Sequence, residues 1–207
     1  MARPRQFDEH DAVVQATDLF WRHGYHATSV RDLGAALDLT PSSLYRTFTD
    51  KHTLFLRALD HYRATESAQA RALLDRIDDP VRDTLRDWLL WLVTCPVPAD
   101  DGSGASADGP RKGCFIVNTA TELGATDPDV TARTEAAFDV TRQALCDLLH
   151  AARTRGELTP ATDPDTTAEL LFTTVLGLRV RERAGHDPVL LTTTITATLT
   201  ALLPAPA

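Results

Sequence analysis

Thr28-Ser29-Val30-Arg31-Asp32-Leu33-Gly34-Ala35-Ala36-Leu37-Asp38-Leu39-Thr40-Pro41-Ser42-Ser43-Leu44-Tyr45-Arg46-Thr47-Phe48 holds two short helical patterns around a tight turn, and Asp50-Lys51 and a long apolar-periodic stretch follow at once. Thr28 or Ser29 is placed to cap the first helix and Thr40 the second, where Pro41 takes the first helical position, whose amide has no intrahelical partner to lose. Val30, Leu33, Ala36 and Leu37 recur at helical spacing, as do Leu44 and Phe48, so each helix has one side to bury. The second helix keeps Ser42, Ser43, Tyr45, Arg46 and Thr47 for its outer face, a set of hydroxyls, a phenol and a guanidinium without an acid. Such a face suits phosphates and the base edges of a major groove, where arginine matches guanine. A merely solvated helical hairpin is the competing reading of the bare pattern.

The flanks extend the pattern. Residues 8–22 form an amphipathic helix with Ala12, Val13, Ala16, Leu19 and Phe20 on one side, stopped by Gly24 in Trp21-Arg22-His23-Gly24-Tyr25. Downstream, Leu54, Phe55, Ala58, Leu59 and Tyr62 open a helix expected to run over residues 51–77. A three-helix head therefore stands on a long connecting helix.

Leu19-Phe20, Gly24-Tyr25, Thr28-Ser29-Val30-Arg31-Asp32-Leu33 and Ser43-Leu44-Tyr45-Arg46-Thr47-Phe48-Thr49-Asp50-Lys51, all within residues 16–55, resemble the TetR/AcrR family of transcription regulators. The run Lys112-Gly113-Cys114-Phe115-Ile116-Val117-Asn118-Thr119-Ala120-Thr121-Glu122-Leu123, then Asp127-Pro128-Asp129-Val130, is similar to one group of them. The resemblance implies an all-α protein of about nine helices: a helix-turn-helix head over residues 1–50 and a helical effector-binding and dimerisation domain over residues 51–207. It also implies a homodimer on a palindromic double-stranded DNA operator, an unidentified small-molecule effector, and neither cofactor nor enzymatic activity. Carried over by position, the family's DNA contacts fall on Thr28 or Ser29, Thr40, Ser42, Ser43, Tyr45, Arg46, Thr47 and Lys51, with Tyr45 and Lys51 as phosphate anchors. Pro41 and Ser42 stand where many members carry Ser, Lys or Gly, which leaves the operator sequence undetermined. Arg3 and Arg5 in the first residues are placed either to reach a minor groove or to form a solvated tail.

Past residue 77, Pro80 opens a helix with Val81, Leu85, Trp88, Leu89 and Leu92 in register and Trp91 off that stripe. Residues 96–112, rich in Pro, Gly, Ser, Ala and Asp without periodicity, are expected to be a flexible surface loop. Helices follow over residues 114–123, 128–156, 164–183 and 189–203. The last two are apolar on more than one side, and a helix of that kind needs a partner on each. One side is expected to pack inside the chain and the other against a second copy, through Leu170, Thr173, Thr174, Gly177, Leu178, Arg181, Leu191, Ile195, Thr198 and Leu199. A fully internal core is the alternative. An effector pocket is expected around Trp88, Trp91, Leu92, Phe115, Asn118, Thr119, Glu122, Phe138, Phe172 and Leu176, which combine aromatic bulk with polar handles, although any helical core contains such residues.

Composition bounds the remaining classes. With 207 residues and 43% apolar content the chain has ample material for a core, and no apolar run long enough for a membrane span or signal peptide is read. Three cysteines, an odd number, fit a reducing cytoplasm better than a disulfide framework. The net charge of −8 is carried by residues 64–207, whereas residues 1–63 hold eight basic and eight acidic side chains, so the neutral head remains free to bind DNA locally. Cys114, near a helix start beside Arg111 and Lys112, is either an electrophile or oxidant sensor or an inert core thiol. Cys146 and His150 stand four apart but lack a second ligand pair, so no metal is expected. No phosphate loop, nucleophile elbow or metalloprotease helix supports an enzyme. A helical adaptor that binds no DNA is the remaining alternative.

Overall fold

The computed structural model describes residues 8–94 and 112–204. Arg3, Arg5 and residues 96–111 of the expected loop lie outside them. Within the described residues the chain is all helical: α1 (Glu9–His23), α2 (Val30–Ala36), α3 (Pro41–Phe48), α4 (Lys51–Tyr62), a π-helical turn (Arg63–Ser67), α5 (Ala68–Leu74), α6 (Val81–Thr94), α7 (Phe115–Leu123), α8 (Pro128–Thr154), α9 (Pro164–Arg183) and α10 (Pro188–Leu202). Helical backbone runs unbroken through α4, the π turn and α5, so the described segments make nine rods.

Short side chains start the helices. Asp8, Ser29, Thr40, Asp50, Asp127, Asp163 and Asp187 each accept an amide of the first turn of the helix they precede. Each satisfies a donor the helix itself leaves without a partner. At α2 the cap is Ser29, in a reciprocal box with Asp32. Thr28 is instead 1% exposed, and its hydroxyl donates to the Gly24 carbonyl at 2.7 Å. Thr28 is thereby removed from the expected DNA contacts, because its one hydrogen-bond donor is spent inside the fold.

Two cores result, and they share a border. In the head, Ala12, Ala16 and Phe20 of α1 pack on Leu54, Phe55, Ala58 and Leu59 of α4, with Leu33, Leu44 and Phe48 closing the underside. Phe115, Ile116, Leu123 and Val130 from the body belong to the same cluster, and Phe55 meets Phe115 edge-on at 5.7 Å. A division at residue 50 therefore falls inside one packed core. The body core joins α5, α6, α8, α9 and α10 through Leu74, Leu85, Trp88, Leu145, Leu148, Leu171, Ile195 and Leu199.

Two expectations for the rod and loop are corrected. The connecting helix ends at Leu74 rather than residue 77, because Arg155 takes the carbonyls of Ile77 and Asp79 and Glu157 accepts the Val81 amide at 2.7 Å, which fixes a turn there. Lys112, expected in a surface loop, is buried: its ammonium pairs with Asp18 and lies 4.9 Å from the Trp21 ring.

Candidate nucleic-acid interface

The outer face of α3 is built by its own cap. Thr40 accepts from the Ser43 amide at 3.2 Å and its hydroxyl reaches Ser42 and Ser43 at 3.0 Å, which orders the hydroxyls at the helix start. Leu44 and Phe48 turn fully inward and fix the helix rotation, leaving Pro41, Ser42, Tyr45 and Arg46 exposed. Ser43 and Thr47 are half-buried, and Thr47 donates to the Ser43 carbonyl at 3.1 Å. The turn before α3 is tight because Gly34 comes so near Leu39 that a Cβ would stand 2.8 Å from its carbonyl oxygen. Any larger residue there would push α3 away from α2.

Lys51, the first residue of α4, places its ammonium 4.1 Å from the centre of the Tyr25 ring. Burial lowers its pKa, and the negative charge of Glu122 opposes that shift. The expected phosphate anchor is thus already placed against an aromatic face. Ser29, Thr40, Pro41, Ser42, Tyr45, Arg46 and Lys51 all reach the surface or its margin on the head, as a groove-binding element requires.

The body holds a cavity of about 200 Å³. Trp88, Trp91, Leu92, Phe138, Phe172 and Leu176 line it, and Phe138 meets Phe172 edge-on at 5.5 Å. Trp91 lies off the apolar stripe of α6 because it forms this wall. The other four expected pocket residues do not reach it. Phe115 is buried against Phe55 of the head, Thr119 is buried, Asn118 donates to the Lys112 carbonyl at 2.9 Å, and Glu122 is bonded to the backbone of the head. α7 is rotated so that Ile116 and Val117 face the cavity instead. Sequence reading missed Glu66, Ser67, Gln69, Ala70 and Arg71 on the rod and Arg179 and Glu182 on α9, which also line it. Arg179 and Glu182 pair at 2.7 Å, a spacing of three residues visible in the chain. Cys114 lies on the same wall and accepts from the Tyr62 hydroxyl at 3.6 Å, while burial pushes the Tyr62 phenol well above its ordinary range.

On the outer side of α9 and α10, Leu170 and Leu190 are 48% and 49% exposed, beside Thr173, Gly177 and Val180. Arg181 donates to Thr194 at 3.4 Å and ties the two helices together. Leu178, Leu191, Ile195 and Leu199, expected at a subunit interface, point into the body core instead, since α10 uses that stripe to pack on α6. Thr174 and Thr198 are half-buried.

Two sets of potential metal ligands among the described residues are already engaged with other groups. Burial and the nearby Asp165, Asp147 and Glu169 raise the pKa of Cys146, and His150 is bonded to Asp165 at 2.9 Å. His52, Asp127 and Asp129 bring ligand atoms within 4.8 Å of one another. Asp127 already caps α8 with one oxygen and meets His52 at 2.8 Å with the other, so the group is a head–body contact.

A capped helix-turn-helix joined to a helical body defines a DNA-binding protein of the helix-turn-helix class. Comparison with known sequences agrees. Residues 13–58 match the profile described as bacterial regulatory proteins of the tetR family, and residues 102–198 the tetracyclin repressor-like C-terminal domain. The HTH-type transcriptional repressor ComR of Escherichia coli is 32% identical over 183 residues, covering 88% of this chain and 83% of ComR. The uncharacterised regulator YezE of Bacillus subtilis is 30% identical and covers 76% of each chain. Among solved structures, the TetR family regulator CifR bound to a 26-base-pair operator superposes with a TM-score of 0.78 at 26% identity, over 96% of this chain and 99% of that one. A TetR regulator from Chloroflexus aurantiacus gives 0.75 at 28%, over 95% and 94%. The chain belongs to the TetR family of DNA-binding transcriptional regulators; it is not an enzyme. No helix of the described residues is long and apolar enough to cross a membrane.

Proposed function

We propose that the chain is a homodimeric repressor, working in the cytoplasm, that grips a palindromic operator with paired α3 helices and releases it when a small aromatic or apolar effector fills the body cavity. The observation that carries this reading is the single rod of α4, π turn and α5. Its first half supplies Leu54, Phe55 and Ala58 to the head core, and its second half supplies Gln69, Ala70 and Leu74 to the cavity wall. A ligand that repacks that wall acts on the element that carries the head, and a coupling of ~1–3 kcal/mol is typical of such switches. Repression is favoured by the similarity to ComR, a transcriptional repressor, and operator binding by the likeness to the CifR complex.

The test is selection of genomic fragments by the purified protein, followed by titration of the recovered site with Tyr45→Ala and Lys51→Ala. An inverted repeat whose binding both variants weaken supports the reading. Recovery of only salt-sensitive, sequence-indifferent DNA, or substitutions without effect, would favour the adaptor alternative.

The exposed face of α9 and α10 is the proposed dimer surface, with Leu170, Thr173, Gly177 and Leu190 at its centre and Leu178, Leu191, Ile195 and Leu199 supporting it from beneath. The double variant Leu170→Glu/Leu190→Glu places four like charges across a two-fold axis and is expected to sediment as a monomer at micromolar concentration. A variant that remains dimeric would move the interface elsewhere.

A covalent version of the same switch is favoured by one observation: the Cys114 sulfur lies on the cavity wall beneath the Tyr62 hydroxyl. In that version Cys114→Ser abolishes release of the operator by thiol-reactive electrophiles. An unchanged response to them in the serine variant would leave only the non-covalent switch.

A further inference from the structure

The junction between α1 and α2 is held from two sides by charged residues of the body, and neither lines the cavity. Glu122, in the last turn of α7, accepts the Tyr25 amide at 3.0 Å with one oxygen and the His26 amide at 2.7 Å with the other. The fit is close. Gly24 has φ 83°, and a Cβ there would stand 2.7 Å from the Glu122 carboxylate. From the other side Arg183, the last residue of α9, donates to the carbonyls of Trp21 and Arg22, each at 3.1 Å, and to that of Lys112 at 2.9 Å. The carbonyls of a final helical turn lack intrahelical partners and carry the negative end of the helix dipole, so a guanidinium is well matched to them. The carboxylate thus takes the free amides, and the guanidinium the free carbonyls, of one junction. Both sets are charge-assisted hydrogen bonds, roughly twice as strong as neutral ones.

We infer that Glu122 and Arg183 are positioning residues that set the angle of the DNA-binding head on the body, and hence the separation of the two heads in a dimer. This assignment presupposes the paired-head reading proposed above. It gives the cavity a second connection to the head besides the rod. Arg179, one turn before Arg183, lines the cavity and donates to the Gly113 carbonyl at 2.7 Å, which also accepts from the Trp21 ring nitrogen at 3.1 Å. A shift of α9 against a bound ligand therefore reaches α1 directly. On the other side, Ile116 and Val117 of α7 line the cavity, and Glu122 on the same helix holds the junction.

The experiment is a spacing series. Wild type, Glu122→Gln, Glu122→Ala and Arg183→Met are titrated against the selected operator, against the same operator with one or two base pairs added or removed between half-sites, and against a single half-site. Wild type is expected to prefer the natural spacing at least tenfold. Glu122→Ala and Arg183→Met are expected to hold the series within about threefold while half-site affinity stays within about twofold. Glu122→Gln, which keeps one acceptor oxygen and is the mildest change to the fold, is expected to fall between, with faster hydrogen exchange at the Tyr25 and His26 amides. Variants that retain the wild-type spacing preference overturn the assignment alone. Equal weakening on every duplex, the half-site included, marks a structural role and overturns it too. A wild-type protein indifferent to spacing overturns it together with the paired-head reading.

Discussion

Arg46→Ala is expected to weaken operator binding by about 2–6 kcal/mol for the dimer, since one bidentate base contact contributes roughly 1–3 kcal/mol and both heads lose it together. Arg46 is exposed on the outer face of α3, one residue past Tyr45 and two before the buried Phe48 that fixes the helix rotation. Its removal leaves the head core intact, so thermal stability should change by no more than about 0.5 kcal/mol. The check is titration on the selected operator and on unrelated DNA at several salt concentrations. A base contact loses affinity for the operator and discrimination at one position. Uniform loss on all DNA with a shallower salt slope would assign Arg46 to a phosphate instead.

Phe55→Ala is expected to cost about 3–5 kcal/mol, the usual range for deleting a buried aromatic side chain, and to lower Tm by roughly 6–20 °C in a chain of this size. Phe55 is fully buried and meets Phe20 at 5.0 Å, Tyr25 at 4.8 Å and Phe115 at 5.7 Å. Because Phe115 belongs to the body, the cavity opens at the border of the two cores, and head and body should still melt in one transition in the wild type. Calorimetry decides this. A loss below about 1 kcal/mol, or a wild-type head that melts separately, would show that the shared border contributes little.

The head was legible because its signals are local. Caps, the proline after Thr40, and the four-residue step from Leu44 to Phe48 each act within one turn, so α1, α2 and α3 follow from the chain with only the choice between Thr28 and Ser29 left open. The body was legible as helices but not as faces. α9 and α10 are apolar on several sides, and nothing in their periodicity says which side meets α6; Leu191, Ile195 and Leu199 turned inward and Leu190 outward. Asn118 and Glu122 share one side of α7, but the rotation of that helix depends on Phe115 meeting Phe55, a contact between residues sixty apart. A carboxylate whose partners are backbone amides, as in Glu122, leaves no mark in any pattern of side chains. The same holds for Lys112, whose burial depends on Asp18 and Trp21 far earlier in the chain.

The π turn at residues 63–67 also sets a rule of phase. Such a turn bonds each amide one residue further back than an α-helix does, which accommodates about one extra residue, and one residue is about 100° around an α-helical axis. The Thr65 hydroxyl donates to the carbonyl of His61, in the last turn of α4, at 3.0 Å. The angular register of residues 51–62 is therefore reckoned separately from that of residues 68–74. A one-residue deletion within the turn would be absorbed by straightening it into α-helix, and the segments on either side would keep their phase. The same deletion upstream would misalign the head and leave the cavity wall as it is. Shortening this rod is thus two different operations, depending on whether the change falls inside those five residues or outside them.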